Sequence, residues 1–196
     1  NDIAPAINLF YKQNRPRSYE VELRKIEEIK SYREPFVEVL AFCLMPNHYH
    51  LIVKQVVDNG VSNFMQKLGT GYTNYFNKKY ERVGSLFQGR FKAVLVSEES
   101  HLIHLPYYIH LNPLDLYDPQ WRTGGLNNLD NAINFLENYR WSGYLDYIGK
   151  SNFPSITKRE FLTEFFDSSE KYREATIQWL QEIKAEILTK FNFVSL

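Results

Sequence analysis

Phe36-Val37-Glu38-Val39-Leu40-Ala41-Phe42-Cys43-Leu44-Met45-Pro46-Asn47-His48-Tyr49-His50-Leu51-Ile52-Val53 is the stretch that decides how this chain folds. Its first nine residues are apolar apart from Glu38 and read as a buried strand over 36–44. Met45-Pro46-Asn47 carries turn chemistry, after which the chain returns as a second strand over 48–55. A tight turn makes the pair an antiparallel hairpin. Side chains alternate along a strand, so His48 and His50 project from one face. Two imidazoles on a rigid strand can hold a divalent ion when other donors complete the shell. A His-X-His pair also arises by chance in strands, so its meaning depends on what else the chain supplies.

The composition sets the frame. A length of 196 residues suits one domain with a sizeable core and a small appendage. The apolar share of 44% and aromatic share of 16% place the chain among folded proteins, not disordered ones. No run is long and apolar enough to span a bilayer, and the start lacks a signal-peptide pattern. A single cysteine, Cys43, excludes an internal disulfide framework and fits a cytoplasmic setting. Inside an apolar strand it is expected to be buried and inert. The 23 basic and 23 acidic residues cancel, which weighs against a nonspecific nucleic-acid coat. Their distribution is uneven: Lys67, Lys78, Lys79, Arg82, Arg90 and Lys92 cluster mid-chain with few acids nearby. The chain starts at Asn1 and not Met, as a fragment lacking an upstream element would.

Outward from the hairpin, residues 18–31 have helical spacing and residues 1–17 read as loop. Ser62 is placed to cap a helix along which Phe64, Met65, Leu68, Tyr72, Tyr75 and Phe76 recur, an apolar stripe expected to face the core. Gly84-Ser85 turns the chain, and residues 86–96 alternate like a strand, with Gln88, Arg90 and Lys92 in phase. Ser97 or Ser100 can cap a helix that runs to Asn112-Pro113. Pro106 lies within it and predicts a kink, unless the helix begins there. Residues 115–131, rich in Asp, Asn and Gly, read as loop, and helical patterns follow at 131–139, 158–166 and 170–191.

Tyr108 and Asn112 are four residues apart and therefore share a helix face. An amide oxygen can join two imidazoles around a hard divalent ion. A tyrosine beside such an ion can attack a phosphodiester and conserve the bond energy in a covalent intermediate. With 14 tyrosines in the chain, the spacing carries little weight alone.

Four blocks in order give it weight. They are the stretch 43–52 around the histidines, Gly71-Tyr72-Thr73-Asn74-Tyr75-Phe76-Asn77, Gly84-Ser85-Leu86-Phe87-Gln88-Gly89-Arg90-Phe91-Lys92, and Tyr108-Ile109-His110-Leu111-Asn112-Pro113. Together they resemble the single-tyrosine HUH transposases (the IS200-like transposase domain), and most closely their REP-associated branch. The resemblance covers roughly residues 36 to 145, including Trp141-Ser142-Gly143-Tyr144. It implies an α+β fold: a ferredoxin-like antiparallel sheet with helices packed on it, the HUH endonuclease fold. Residues 1–145 would form the catalytic domain and 146–196 a C-terminal helical extension. Carried over by position, His48, His50 and Asn112 would bind Mg²⁺ or Mn²⁺, and Tyr108 would be the nucleophile. The implied activity is metal-dependent cleavage and transfer of single-stranded DNA beside a hairpin, through a 5′-phosphotyrosine. The protein would act as monomer or homodimer, with no membrane partner. Three features depart from the family. Its opening strand is not recognisable, the residue before the tyrosine is Tyr107 where arginine is common, and residues 1–34 carry no usable motif.

For DNA contact the candidates are Lys78, Lys79 and Arg82, with Gln88, Arg90 and Lys92 on the following segment. His101 and His110 carry little weight as site residues; His104, one turn before Tyr108, can lie near the site but is better placed at the surface, and Asn47 is expected as a turn residue. Two rival readings remain: a domesticated hairpin-binding protein that kept the fold without catalysis, and a metal hydrolase unrelated to DNA.

Overall fold

The computed structural model describes residues 34–182. The chain divides into two units, Asn1–Pro35 and Phe36–Leu196, and every element below belongs to the second. The helix expected over 18–31 and the end of the one expected over 170–191 lie outside the described residues. Among the described residues the architecture is α+β, an antiparallel strand pair with helices packed on it, as expected.

Strand β1 (Val37–Leu44) pairs with β2 (Tyr49–Gln55), with Cys43 opposite His50 and Leu44 opposite Tyr49. The turn is closed by the Met45 amide donating to the His48 carbonyl at 2.8 Å. The register shifts between Val39 and Ala41, a bulge-type irregularity that increases local twist. Leu40, Ala41, Phe42 and Cys43 are all buried, which is why this strand reads as a continuous apolar run. Burial pushes the Cys43 thiol up to about 12, with Asp115 adding to the effect, so the cysteine is inert as expected. The far edge of β1 is closed by single bridges. Leu44 donates to the Trp141 carbonyl, Gly143 to the Phe42 carbonyl and Lys158 to the Val39 carbonyl. Those bonds satisfy backbone groups that an open edge would leave unpaired.

Helix α1 (Gly60–Lys79) starts two residues before the expected Ser62 cap, behind a left-handed Asn59 with φ 56°. Residues 86–96, expected as a strand, have no regular secondary structure. The alternation is real, but Phe91, Val94 and Leu95 are 38%, 66% and 88% exposed, so no buried face exists to hold a ladder. Helix α2 (Glu99–Leu111) runs through Pro106 and begins after Glu98, between the two expected serine caps. From Leu105 to Leu111 only Tyr108 escapes full burial.

The stretch expected as loop over 115–131 instead contains two single-turn helices, α3 (Leu114–Tyr117) and α4 (Trp121–Gly124). A tertiary contact explains them: Asp115 accepts from Trp121 Nε1 at 2.7 Å and from Arg122 Nε at 2.9 Å. Helix α5 (Leu129–Asn138) is capped by Asn128, whose side chain accepts from the Asn131 amide. Helices α6 (Tyr144–Tyr147), α7 (Glu160–Phe166) and α8 (Ser169–Glu182) complete the described chain. Tyr172, Thr176 and Leu180 recur every four residues on α8 and are buried. Residues on both sides of position 145 share this core, since Tyr172 stacks on Tyr107 at 4.7 Å and bonds His110 at 2.8 Å. No helix among the described residues is long and apolar enough to cross a membrane.

Candidate active site

The hairpin and α2 bring the histidine pair to the tyrosine within one chain. The His48 and His50 rings lie 4.9 Å apart between centroids, and the His50 ring meets Tyr108 edge-on at 6.1 Å. His48 immediately precedes β2 and keeps its Nδ1 2.7 Å from Asn47 Oδ1. When Nδ1–H donates in that bond, Nε2 is left with its lone pair. Asn47, expected as a turn residue, thus also orients an imidazole.

His50 is further from water. Its Nε2 is buried and has no hydrogen-bond partner among the described residues. Burial, then His48, then Arg122 pull its pKa down to about 4, against an opposing push from Asp115. The ring is therefore neutral at physiological pH, the protonation state that can donate to a metal.

Tyr107 and Tyr108 point in different directions, as adjacent helical residues must. Tyr107 is buried against Tyr172 and meets Trp179 at 5.0 Å and Phe166 at 5.4 Å. Tyr108 faces the histidines. Burial raises its phenol above the ordinary tyrosine range, Arg122 pulls it back and Asp115 pushes it up.

Asn112 ends α2 and has a second occupation. Its amide nitrogen donates to the Tyr108 carbonyl at 3.0 Å and the Ile109 carbonyl at 3.3 Å, so it caps the helix. Its oxygen accepts from Arg122 Nη2 at 2.9 Å. An sp² oxygen has a second lone pair, so this bond is compatible with a further donor role. Among the described residues no group of three His, Cys, Asp or Glu side chains could hold a metal ion. The donors that the family resemblance nominates are the two imidazoles and the Asn112 amide. The orphaned His50 Nε2 and the orientation of His48 fit that role.

Arg122 is the residue sequence reasoning missed. Its guanidinium carbon sits 5.2 Å from the Tyr108 ring centroid and 4.5 Å from that of Trp121. Its nitrogens hold Asn112 and both oxygens of Asp115. The available signal was Trp121 itself, because a tryptophan in a polar stretch is costly to expose and marks a segment that packs.

None of the contacts just described involves the expected DNA-binding residues. Lys78 and Lys79 end α1, and Arg82 follows with Nη2 bonded to the Ser85 carbonyl at 3.0 Å. Gln88, Arg90 and Lys92 are exposed on the irregular segment. Phe87 ties that segment to the hairpin through Tyr49 at 6.1 Å. His101 and His104 are partly and fully exposed, and His104 shares a shallow depression with Tyr108, Leu105 and Trp179. His110, to which sequence reasoning assigned no role, is wholly buried among Tyr144, Tyr147 and Tyr172. It sits on the face of α2 that α6 and α8 cover.

No curated protein and no solved structure matches the chain. A family model described as "Transposase IS200 like" matches residues 12–112. The match begins well before the first motif block and ends on Asn112, taking in the hairpin, α1 and all of α2. It spans more than half of the chain, and the protein therefore belongs to the IS200-like transposase family.

Proposed function

We propose that this transposase cuts and transfers single-stranded DNA beside a hairpin, with Tyr108 as nucleophile. The observation that carries the reading is the approach of Tyr108 to His50, with His48 adjoining, inside one chain. That proximity supports attack in cis by a monomer, without exchange of the tyrosine helix between copies. The Tyr108 oxygen attacks phosphorus, the bond to the 3′-oxygen breaks, the phenol proton is lost to solvent and the departing 3′-oxygen takes a proton up from water. The products are a 5′-phosphotyrosine and a free 3′-hydroxyl, so the ester is conserved for rejoining. His48, His50 and Asn112 would hold Mg²⁺ or Mn²⁺, which when bound polarises the phosphate. Arg122 keeps the Asn112 amide oriented and places positive charge over the tyrosine ring. Lys78, Lys79, Arg82, Arg90 and Lys92 contact phosphates, with Gln88 nearer the bases.

The test is covalent capture. Wild-type protein with Mn²⁺ and a hairpin-bearing oligonucleotide should give an adduct that survives denaturing electrophoresis, and Tyr108→Phe should give none. An adduct that persists in Tyr108→Phe removes the assigned nucleophile. His48→Ala and His50→Ala should abolish the adduct yet retain most DNA affinity, because the phosphate contacts lie elsewhere. One observation favours the non-catalytic alternative: the Asn112 oxygen is already engaged by Arg122. Hairpin binding without any adduct, in the wild type with Mn²⁺, would establish that reading instead.

A further inference from the structure

Between Asn59 and Ser97 the chain carries six cations and one acid, Glu81, although the totals over the whole chain are equal. Helix α1 has no acidic residue, and after Met65 none of its residues is buried. Tyr72 is 47% exposed, Tyr75 41% and Tyr80 56%, which is unlike the core stripe their spacing suggests. Tyr72 and Tyr75 share a helix face with Phe76, and Tyr80 follows at the helix end. Tyr72 lies 6.3 Å from Tyr75 and 6.2 Å from Phe76, and Phe76 lies 4.4 Å from Tyr80. Cations are interleaved with them. Lys79 Nζ sits 5.7 Å from the Tyr75 ring and 5.3 Å from Tyr80, and the Arg82 guanidinium carbon 5.7 Å from Phe76. Phe87 joins this face to the hairpin, 6.2 Å from Tyr72 and 6.1 Å from Tyr49.

An exposed aromatic patch marks an interaction surface, and the charge selects the partner. A second copy meeting this face by two-fold symmetry would bring like-charged lysines and arginines together. Duplex DNA would satisfy the cations but keep its base faces inside the stack. A single strand offers phosphates and unpaired π-faces in alternation. We propose that the Tyr72–Tyr75 face of α1, with Tyr80 just past its end, is a stacking platform for unpaired bases of single-stranded nucleic acid, with Lys79 and Arg82 holding the phosphates between them.

The choice of nucleic acid as partner rests on the DNA-directed reading above, but neither Tyr108 nor the histidines enter. The test is fluorescence anisotropy with a labelled oligothymidine, which forms no hairpin, beside a duplex of equal length. Each ring lost should weaken single-strand binding by at least about fivefold, so Tyr72→Ala/Tyr75→Ala falls well over tenfold while Tyr72→Phe/Tyr75→Phe holds. Duplex affinity should barely change. Lys79→Gln/Arg82→Gln should flatten the salt dependence, which the tyrosine variants leave unchanged. Thermal melts confirm folding, and Tyr80→Ala, beyond the helix end, is the fallback if the double variant unfolds.

An alanine variant that binds oligothymidine as tightly as wild type overturns the platform. So does a variant that only converts a wild-type dimer to monomer, which would assign the face to a second copy. Tyrosine-dependent strand binding without any covalent adduct leaves the platform standing and removes the cleavage reading. An adduct with normal binding by the alanine variants removes the platform alone. Wild type with no affinity for single strands overturns both.

Discussion

Arg122 makes the most consequential contacts of any single side chain in the site. It binds the oxygen of Asn112, both oxygens of Asp115 and the face of Tyr108. A planar guanidinium can do all of this at once because its donors lie in a fixed fork, which an ammonium lacks. Arg122→Met is expected to slow single-turnover strand cleavage by about a hundredfold, the scale of losing one preorganised charge-stabilising donor. Arg122→Lys should recover part of the rate, since it restores charge but not the fork. Equal loss in both variants, tracking a fall in melting temperature, would mean that Arg122 only holds α3 and α4 together. His48, His50, Tyr108 and Asn112 could be nominated from the sequence because motif order and spacing constrain them. Arg122 could not, because what brings it to Tyr108 is the folding of α4 onto Asp115.

At the level of elements, α1 and α2 show how one periodicity serves two environments. Both helices carry large residues at helical spacing, yet α2 is buried almost all round from Leu105 to Leu111 while α1 is exposed beyond Met65. Helical spacing specifies that side chains share a face; it does not specify what covers that face. Pro106 is tolerated inside α2, where it is itself fully buried, so neighbouring contacts offset the missing backbone bond. The start of α1 is set sterically, because a Cβ at Gly60 would lie 2.1 Å from the Phe36 carbonyl oxygen. Gly60→Ala should therefore destabilise the fold by about 1–3 kcal/mol. Gly71→Ala, with open space around it, should stabilise by about 0.5–1 kcal/mol. Urea titration of the two variants checks this, and an equal effect at both positions would contradict the close approach.

At the scale of the whole molecule, β1 and α2 share one core with α6, α7 and α8. Its polar centre is His110, bonded through Nδ1 to Tyr172 and enclosed by tyrosines. Burial pulls the His110 pKa down to about 3 from an ordinary 6.5. The unfolded chain therefore binds a proton that the folded chain refuses between those values. Stability should fall as the pH drops through that window, by up to about 1.4 kcal/mol per unit. His110→Phe should show a shallower acid dependence when urea midpoints near neutral pH and near pH 5 are compared; an unchanged slope would refute the assignment. His50 shifts in the same direction, so only the difference between the two proteins isolates His110.

By itself the sequence determined the hairpin, the common face of His48 and His50, the helical placement of Tyr108 with Asn112, and the family. Each of these follows from local periodicity or from the order of motifs along the chain. Tertiary structure alone decided that Tyr108 faces the histidines while Tyr107 enters the core. It also placed His110 inside, kept the α1 tyrosines outside, left residues 86–96 without a ladder, and brought Arg122 over Tyr108. Those outcomes depend on which surfaces meet, and burial and long-range charge contacts are fixed only when distant segments pack.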